Sequence, residues 1–536
     1  MTAQNYSMSR REALRRGLTG AAAVTGGAML FQRSCKAEAQ MSPRRPNIII
    51  FHTDDQDFNT LGCYGYNVLT PHIDGLAGSG VRFNRGYVCT GVCMASRYGL
   101  ITGQFPSRCL NPNFQKAYPK NVMTEPFFNT HLNVGQHNFA NVMKSAGYKT
   151  GVVGKWGIGG VDRSALDKLE RSSFWANAWR TTDDDVDPRK TKVSDILAES
   201  HAQQVKDIKR FGFDYAAGIT DNPEAWQSRA LNYHNPEWVT SAALDFIDQS
   251  KNAPFFLYIN QTLHHIPHPQ ESLFNGDPRM THEGYLDKVP DCIPPREEIV
   301  AMVKDKGYPE HTAYCTWMDE ALGAVMRKLG EHGITDDTLI VYMSDNNVPA
   351  KATVYEGGVR VPYIMSYPRM VPGGRITESL AQNLDLAPTA FAAAGITPPS
   401  DMRIDGANLM PYLTEARDNT HDELFFEIGW TRAVCSDRWK YLALRFSESA
   451  EKRRLSKGGN FPWVYHTGSL EPHQHHAMLW RPAFFESDQL YDLHVDSDEI
   501  VNLSFKQQHS RVLGDMKERL GTWLRTFDHP YAEFTG

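Results

Sequence analysis

The chain has 536 residues, a length that favours one large domain with a smaller companion over a single core. Its composition, 41% hydrophobic and 22% charged, is that of a soluble globular protein, and no apolar run is long enough to cross a bilayer. A formal net charge of −6 argues against a general polyanion-binding surface, so nucleic acid is not an expected partner and an anionic substrate must meet a local cluster of positive groups.

Residues 1–39 read as an address. Ser9-Arg10-Arg11 precedes an Ala/Gly-rich stretch from Gly17 to Phe31 and then Ala37-Glu38-Ala39, similar to a bacterial twin-arginine export signal with its cleavage site. The expected location is therefore periplasmic or extracellular, where disulfides are permitted, although eight cysteines do not assign their own pairs. Cys63, Cys89, Cys93 and Cys109 crowd one region, but their spacing fits no common zinc pattern.

Asn47 to Phe51 is short, β-branched and almost wholly apolar, the pattern of a strand buried on both faces, and it ends in His52-Thr53-Asp54-Asp55. A helical pattern runs from Phe139 to Ala146 and stops at Gly147. The run Pro254 to Ile259 leads into Leu263-His264-His265-Ile266-Pro267-His268, and after a helix from Tyr314 to Leu329 the run Thr338 to Met343 ends in Ser344-Asp345-Asn346. Three buried strands thus hand over to chemically capable residues, and in open α/β sheets ligands collect beyond the carboxyl ends of strands. From about Glu423 the texture changes to short strands, Glu423 to Ile428 and Trp439 to Leu444, a long Gly-, Pro- and aromatic-rich loop from Lys457 to Phe485, and a final helix near Ser510 to Phe527. The expected fold is α/β: a large mixed, mainly parallel sheet flanked by helices over 45–415, with a smaller α+β domain over 420–536.

Asp54, Asp55, Asp345 and Asn346 offer only oxygen ligands. Gathered together, three carboxylates repel unless a hard cation sits among them, and an all-protein oxygen cage suits calcium better than magnesium. An Asp at a strand-to-helix turn can equally be a helix cap, but a matched Asp-Asp and Asp-Asn at two strand ends favours the metal.

The segment Cys93-Met94-Ala95-Ser96-Arg97-Tyr98-Gly99-Leu100-Ile101-Thr102-Gly103-Gln104 closely resembles the signature of type I sulfatases, in the alkaline phosphatase-like superfamily, C-x-[P/A]-S-R followed by a T-G pair. The resemblance continues through Gly147-Tyr148-Lys149-Thr150 to Gly154-Lys155-Trp156, through His265-Ile266-Pro267-His268, and through Lys351 followed by Tyr355-Glu356-Gly357-Gly358-Val359-Arg360-Val361-Pro362. It ends in Leu490-Tyr491-Asp492-Leu493 with Asp498-Glu499 and Asn502. Departures stand at Gly157, where the family often has His, at Asn347, where it has Gly, at His264, where it has Pro, and at Gln104, where a basic residue is more usual. His131 or His137 are the candidates to replace a histidine at 157.

The resemblance implies that Cys93 is converted to formylglycine by a formylglycine-generating enzyme, and that one divalent cation is held by Asp54, Asp55, Asp345 and Asn346 and touches residue 93. It implies that Arg97 and Lys155 hold the hydrated aldehyde, that Lys351 and His265 grip the sulfate and help the leaving oxygen, with Lys155 also near the substrate, and that His268 stands behind them. A hydrated aldehyde has a second hydroxyl with which to expel sulfate, which a serine lacks. The expected substrate is a sulfated small molecule or carbohydrate, and Trp463, Tyr465 and Trp480 are candidates to stack on sugar faces. Two other readings stay open: a phosphate or phosphonate ester hydrolase of the same superfamily, and an inactive relative that only binds sulfated glycans.

Overall fold

The computed structural model describes residues 45–161, 187–220, 231–265, 269–415, 417–446 and 480–531, with isolated positions at 451, 452, 456 and 477. The export signal, His268, Trp463 and Tyr465 lie outside the described residues.

Eight strands form the main sheet: β1 (Asn47–Thr53), β2 (Val81–Phe83), β3 (Lys149–Lys155), β4 (Tyr215–Thr220), β5 (Phe255–Asn260), β6 (Thr338–Ser344), β7 (Tyr363–Ser366) and β8 (Arg375–Thr377). Their spatial order is β8-β2-β7-β6-β1-β5-β3-β4. β1 is central, pairing in parallel with β5 through Ile48↔Phe256 to His52↔Asn260 and with β6 through Asn47↔Thr338 to Thr53↔Ser344. Only β7 runs against its neighbours, so the carboxyl ends of β1, β3, β5 and β6 open on one edge.

Both faces of this sheet are covered. Ile48 and Ile50 point into one buried cluster and Ile49 and Phe51 into the other, which is why β1 reads as an unbroken apolar run instead of an alternating one. On the first face lie α1 (Cys93–Thr102) and α2 (Phe139–Ser145), where the Phe139 ring stacks on Phe256 of β5 with centroids 4.3 Å apart. The α2 amino end is closed by a reciprocal pair of side-chain bonds between Asn138 and Asn141. On the second face lie α3 (Pro236–Ser250) and α4 (Ala313–Glu331), with Trp317 fully buried.

A second, antiparallel sheet follows in simple meander order: β9 (Glu423–Ile428), β10 (Thr431–Ser436), β11 (Trp439–Leu444) and β12 (Asp488–Asp492). One face packs Phe425, Val434, Tyr441 and Leu490 against Met516 and Leu520 of α5 (Ser510–Leu524). The other, with Phe426, Ala433 and Leu442, continues into the core on the first face of the main sheet.

A buried ion cluster ties that second sheet to the loop after β6. Lys440 of β11 is fully buried, and its Nζ lies 2.8 Å from Glu356 Oε1 and 3.2 Å from Glu499 Oε1. Tyr87 Oη donates to the other Glu356 oxygen at 3.0 Å. Burial pushes Glu499 up to about 7, whereas Lys440 keeps Glu356 below its usual range against the same burial. Lys440→Ala would strand Glu356 without its counter-charge in the interior, and a loss of about 3–5 kcal/mol in unfolding free energy is expected. Urea denaturation measures it, and a change under about 1 kcal/mol would show that water or the nearby arginines replace the lysine.

Candidate active site

The site forms where β1, β6 and β5 end and α1 begins. Cys93 is the first residue of α1, and its Sγ lies within 4.8 Å of carboxylate oxygens of both Asp54 and Asp345. Asp54, Asp55, Asp345 and Asn346 are all buried. Asp55 has φ of 54°, a left-handed conformation that costs a non-glycine residue about 1–2 kcal/mol and is held here by its neighbours. Its backbone N–H donates to Asp345 Oδ1 at 3.2 Å, and Asn346 Nδ2 donates to its Oδ1 at 2.6 Å.

Each carboxylate has a basic partner. Arg97 donates from Nε to Asp345 Oδ2 at 2.8 Å and from Nη1 to Asn260 Oδ1 at 2.6 Å, while Nη2 faces the same Asp345 oxygen at 2.8 Å as an ion pair without hydrogen-bond geometry. Lys155 Nζ is hydrogen-bonded to Asp54 Oδ2, and Lys351 Nζ donates to Asp55 Oδ2 at 2.6 Å. His265 Nε2 stands 3.6 Å from the same Asp55 oxygen. The residues expected to hold metal and those expected to hold substrate are therefore interleaved.

The charges follow. Burial alone would raise the Asp54 carboxyl, but Lys155, His265, Arg97 and Lys351 together hold it far below the usual carboxylate range. Asp55 is also lowered, by Lys351 and His265 acting against burial. Asp345 goes the other way, up to about 7, because burial and the Asp54 charge outweigh Arg97 and Lys155. Burial, with help from Lys351, drops His265 to about 4, so it is neutral at pH 7. Burial also raises the Cys93 thiol.

Two glycines shape the basic side. Gly154 has φ of 85° where the β3–β4 register shifts, and a Cβ there would overlap the Asn260 carbonyl oxygen. This glycine permits the irregularity that lies immediately before Lys155. Gly157 has φ of 59°, and a Cβ would stand 3.2 Å from Arg97 Cδ and from Lys155 Cε. Neither candidate substitute for a histidine at 157 is placed among these groups by a described contact: His137 Nε2 pairs with Asp401 at 3.2 Å, and the His131 ring packs over Gly159.

Several site residues escape a reading of the sequence alone. Asn260, at the end of β5, anchors Arg97; the strand-end rule that found Asp54 and Asp345 would have found it too. His234 spans from Thr262 Oγ1 at 2.8 Å to the His265 carbonyl at 2.7 Å and so fixes the histidine loop, a role with no local signal. His52 Nδ1 lies 2.8 Å from Tyr258 Oη beneath the site. The crowded cysteines form no bridge: all seven described, Cys63, Cys89, Cys93, Cys109, Cys292, Cys315 and Cys435, are free thiols.

The donor set fits a hard divalent cation. Asp54 Oδ1 and Asn346 Oδ1 are buried acceptors with no hydrogen-bond partner, an arrangement that is costly unless something positive faces them.

A family model described as Sulfatase matches residues 46–396, well over half of the chain. Human arylsulfatase A is 26% identical over 86% of this chain and 83% of that protein. An N-acetylgalactosamine-6-O-sulfatase of Bacteroides thetaiotaomicron is 24% identical over 94% of this chain and 97% of its own length. The crystal structure of a phosphonate monoester hydrolase of Agrobacterium radiobacter shares the fold, with a TM-score of 0.56 at 16% identity over 90% of this chain and 96% of that one. Its match to the family over the main sheet and the Cys93 segment shows that this chain belongs to the sulfatase family, whose members hydrolyse sulfuric esters.

Proposed function

We propose that the protein removes sulfate from sulfated carbohydrates, using residue 93, converted to formylglycine, as its nucleophile beside one divalent cation, calcium. One observation carries this reading. Asp54, Cys93 and Asp345, from three separate segments, bring potential ligand atoms within 4.8 Å of one another in a buried site lined by Arg97, Lys155 and Lys351. The names of the relatives, an arylsulfatase and an N-acetylgalactosamine sulfatase, support the substrate class.

Asp54, Asp55, Asp345 and Asn346 would hold the cation. Bound there, it supplies charge neutralisation at the ester and lowers the pKa of a hydroxyl on residue 93. The remaining tasks fall to side chains. Arg97, pinned by Asp345 and Asn260, presents a rigid fork beside residue 93 and keeps it oriented. Lys155 and Lys351 bring positive charge to the nonbridging oxygens of a bound sulfate, stabilising the charge that builds there during displacement. Neutral His265 is able to hand a hydrogen bond to the departing oxygen, with its loop held by His234. Maturation by a formylglycine-generating enzyme and export through the 1–39 signal belong to the same reading.

Parallel rates on an aryl sulfate and the matching aryl phosphate test it. Faster sulfate release is expected, together with formylglycine at residue 93 by mass spectrometry of that peptide. A faster phosphate reaction would overturn the assignment in favour of a phosphoester hydrolase. An unmodified Cys93 from a host able to convert it would favour the inactive glycan-binding reading.

A further inference from the structure

The same carboxyl edge of the main sheet carries a second polar cavity, of about 600 Å³, on the side of β6, β7 and β2. It begins one residue beyond the proposed metal ligands: Asn347 lines it, and so does Asp57, two residues after Asp55. Asn347, in place of the family's glycine, is buried there and donates from Nδ2 to the Arg360 carbonyl at 3.0 Å.

Three arginines from distant parts of the chain converge on this cavity: Arg82 of β2, Arg360 before β7, and Arg481 before β12. Each guanidinium lies over an aromatic ring, Arg82 over Tyr64 at 4.8 Å, Arg360 over Phe58 at 5.0 Å and Arg481 over Tyr355 at 4.7 Å. Stacking holds the plane of a guanidinium while leaving its N–H edge available, the arrangement suited to a two-pronged grip on a sulfate or carboxylate. Arg360 spends its Nε on the Asn84 carbonyl at 2.8 Å and has its terminal nitrogens left to offer. Among the described residues none of the three forms an ion pair with a carboxylate. Arg481 is only 6% exposed, yet its Nε has no hydrogen-bond partner, and the buried Nε of Arg82 has none either.

The acidic residues around the cavity do not cancel this charge. Glu356 is neutralised by Lys440. Asp57 accepts from the Phe58 N–H at 2.6 Å and Glu378 from Asn84 Nδ2 at 2.5 Å, while Asp498 stands exposed at the rim. Arg481 feels the charge of Glu499, and Arg360 that of Glu356 and Asp57, yet none of these carboxylates comes within ion-pair distance. A buried guanidinium with an open donor and no paired carboxylate is costly to keep unless a ligand brings the anion.

We propose that the cavity where Arg82, Arg360 and Arg481 converge is a second anion subsite, which takes a sulfate or carboxylate group elsewhere on the glycan whose ester is cleaved beside residue 93. This rests on the carbohydrate-sulfatase reading above and deepens it: the preferred substrate carries at least two anionic groups. Tyr66, 48% exposed on the same wall, offers a face for the intervening sugar.

Calorimetric binding on a Cys93→Ala background, where turnover cannot interfere, tests the subsite. The probes are N-acetylgalactosamine 6-sulfate, its 4,6-disulfate, and a 6-sulfated disaccharide bearing a uronic acid. The parent is expected to bind at least one of the two doubly anionic probes about tenfold more tightly than the monosulfate. Arg82→Gln combined with Arg481→Gln should erase that preference while shifting the monosulfate affinity less than about twofold. Which doubly charged probe responds identifies the anion as sulfate or carboxylate. Should the double variant fold poorly, Arg82→Gln alone, at a partly exposed position, is expected to lose part of the preference. A parent with no preference for either doubly anionic probe, or variants that lose affinity for all three probes equally, would overturn the proposal. Failure of the sulfatase reading itself looks different: the wild-type enzyme releases no sulfate from any ester.

Discussion

Cys93→Ala is expected to lower kcat/KM for an aryl sulfate by about 10⁴-fold or more while leaving the fold in place, since removing the nucleophile from a covalent catalyst costs on this order. The structure explains why the two effects separate. Burial raises the Cys93 thiol, so the side chain removed is neutral, and none of the ion pairs that knit the site involves it. Arg97 keeps Asp345 and Asn260, Lys155 keeps Asp54, and Lys351 keeps Asp55. A thermal melt should therefore shift by no more than a few degrees, the size expected for about 1 kcal/mol or less in a chain this long. Cys93→Ser, in a host without a serine-converting system, should remain equally inactive in turnover, because its single hydroxyl has no second oxygen with which to expel sulfate. An alanine variant that still turns over at the wild-type rate would remove residue 93 from the reaction and with it the proposed function.

Some of this arrangement is legible in the sequence, for identifiable reasons. β1, β5 and β6 are buried on both faces, so their apolar runs are continuous and their ends are marked by an abrupt change to Asp, Asn or His. That change also marks three corners of the site. The C-terminal strands Glu423–Ile428 and Trp439–Leu444 have the lengths the sequence suggests, because turns bound them tightly. The reversal of β7 has no such mark. Tyr363 to Ser366 is as fully buried as the parallel strands of the sheet, and only its antiparallel pairing with β6 and β2 sets its direction.

Long-range partners are the harder part. Nothing local in Lys155 or Lys351 says that each will lie against a different carboxylate of the metal set, since the pairing spans 101 residues in one case and 296 in the other. Gly157 is a case in which the sequence misleads. Read against the family it is an absent histidine, whereas in the fold it is a left-handed turn wedged between Arg97 and Lys155, where added volume would press on both. In the pocket three basic side chains face three carboxylates, so a positive surplus arises only with a bound cation.

That balance leads to the second large effect. Removing divalent ions with a chelator is expected to lower the rate on an aryl sulfate by at least about 10²-fold, with recovery on adding calcium, because the electrostatic stabilisation of the displaced group is the largest single contribution in sites of this kind. Unfolding is not expected. A cluster of bare carboxylates would repel and open, but here Lys155, Arg97 and Lys351 neutralise Asp54, Asp345 and Asp55 one for one, so the ion-free site is closed by its own salt bridges. The stability lost on chelation is then only the linkage free energy of the ion, about 2.7 kcal/mol if calcium had been present at a hundred times its Kd. The same salt bridges account for the loss of activity, since lysines tied to Asp54 and Asp55 are not available to a sulfate. Asp345→Asn separates the two roles. It should weaken calcium binding about tenfold or more, read by titration, because one ligand charge is gone. Its cost in ion-free stability should be small, because an asparagine oxygen still accepts from Arg97 Nε and Arg97 Nη2 keeps the Asp54 charge at 3.6 Å. Full activity after exhaustive chelation, or unchanged calcium affinity in Asp345→Asn, would show that the cluster is a structural salt-bridge network and not a metal site.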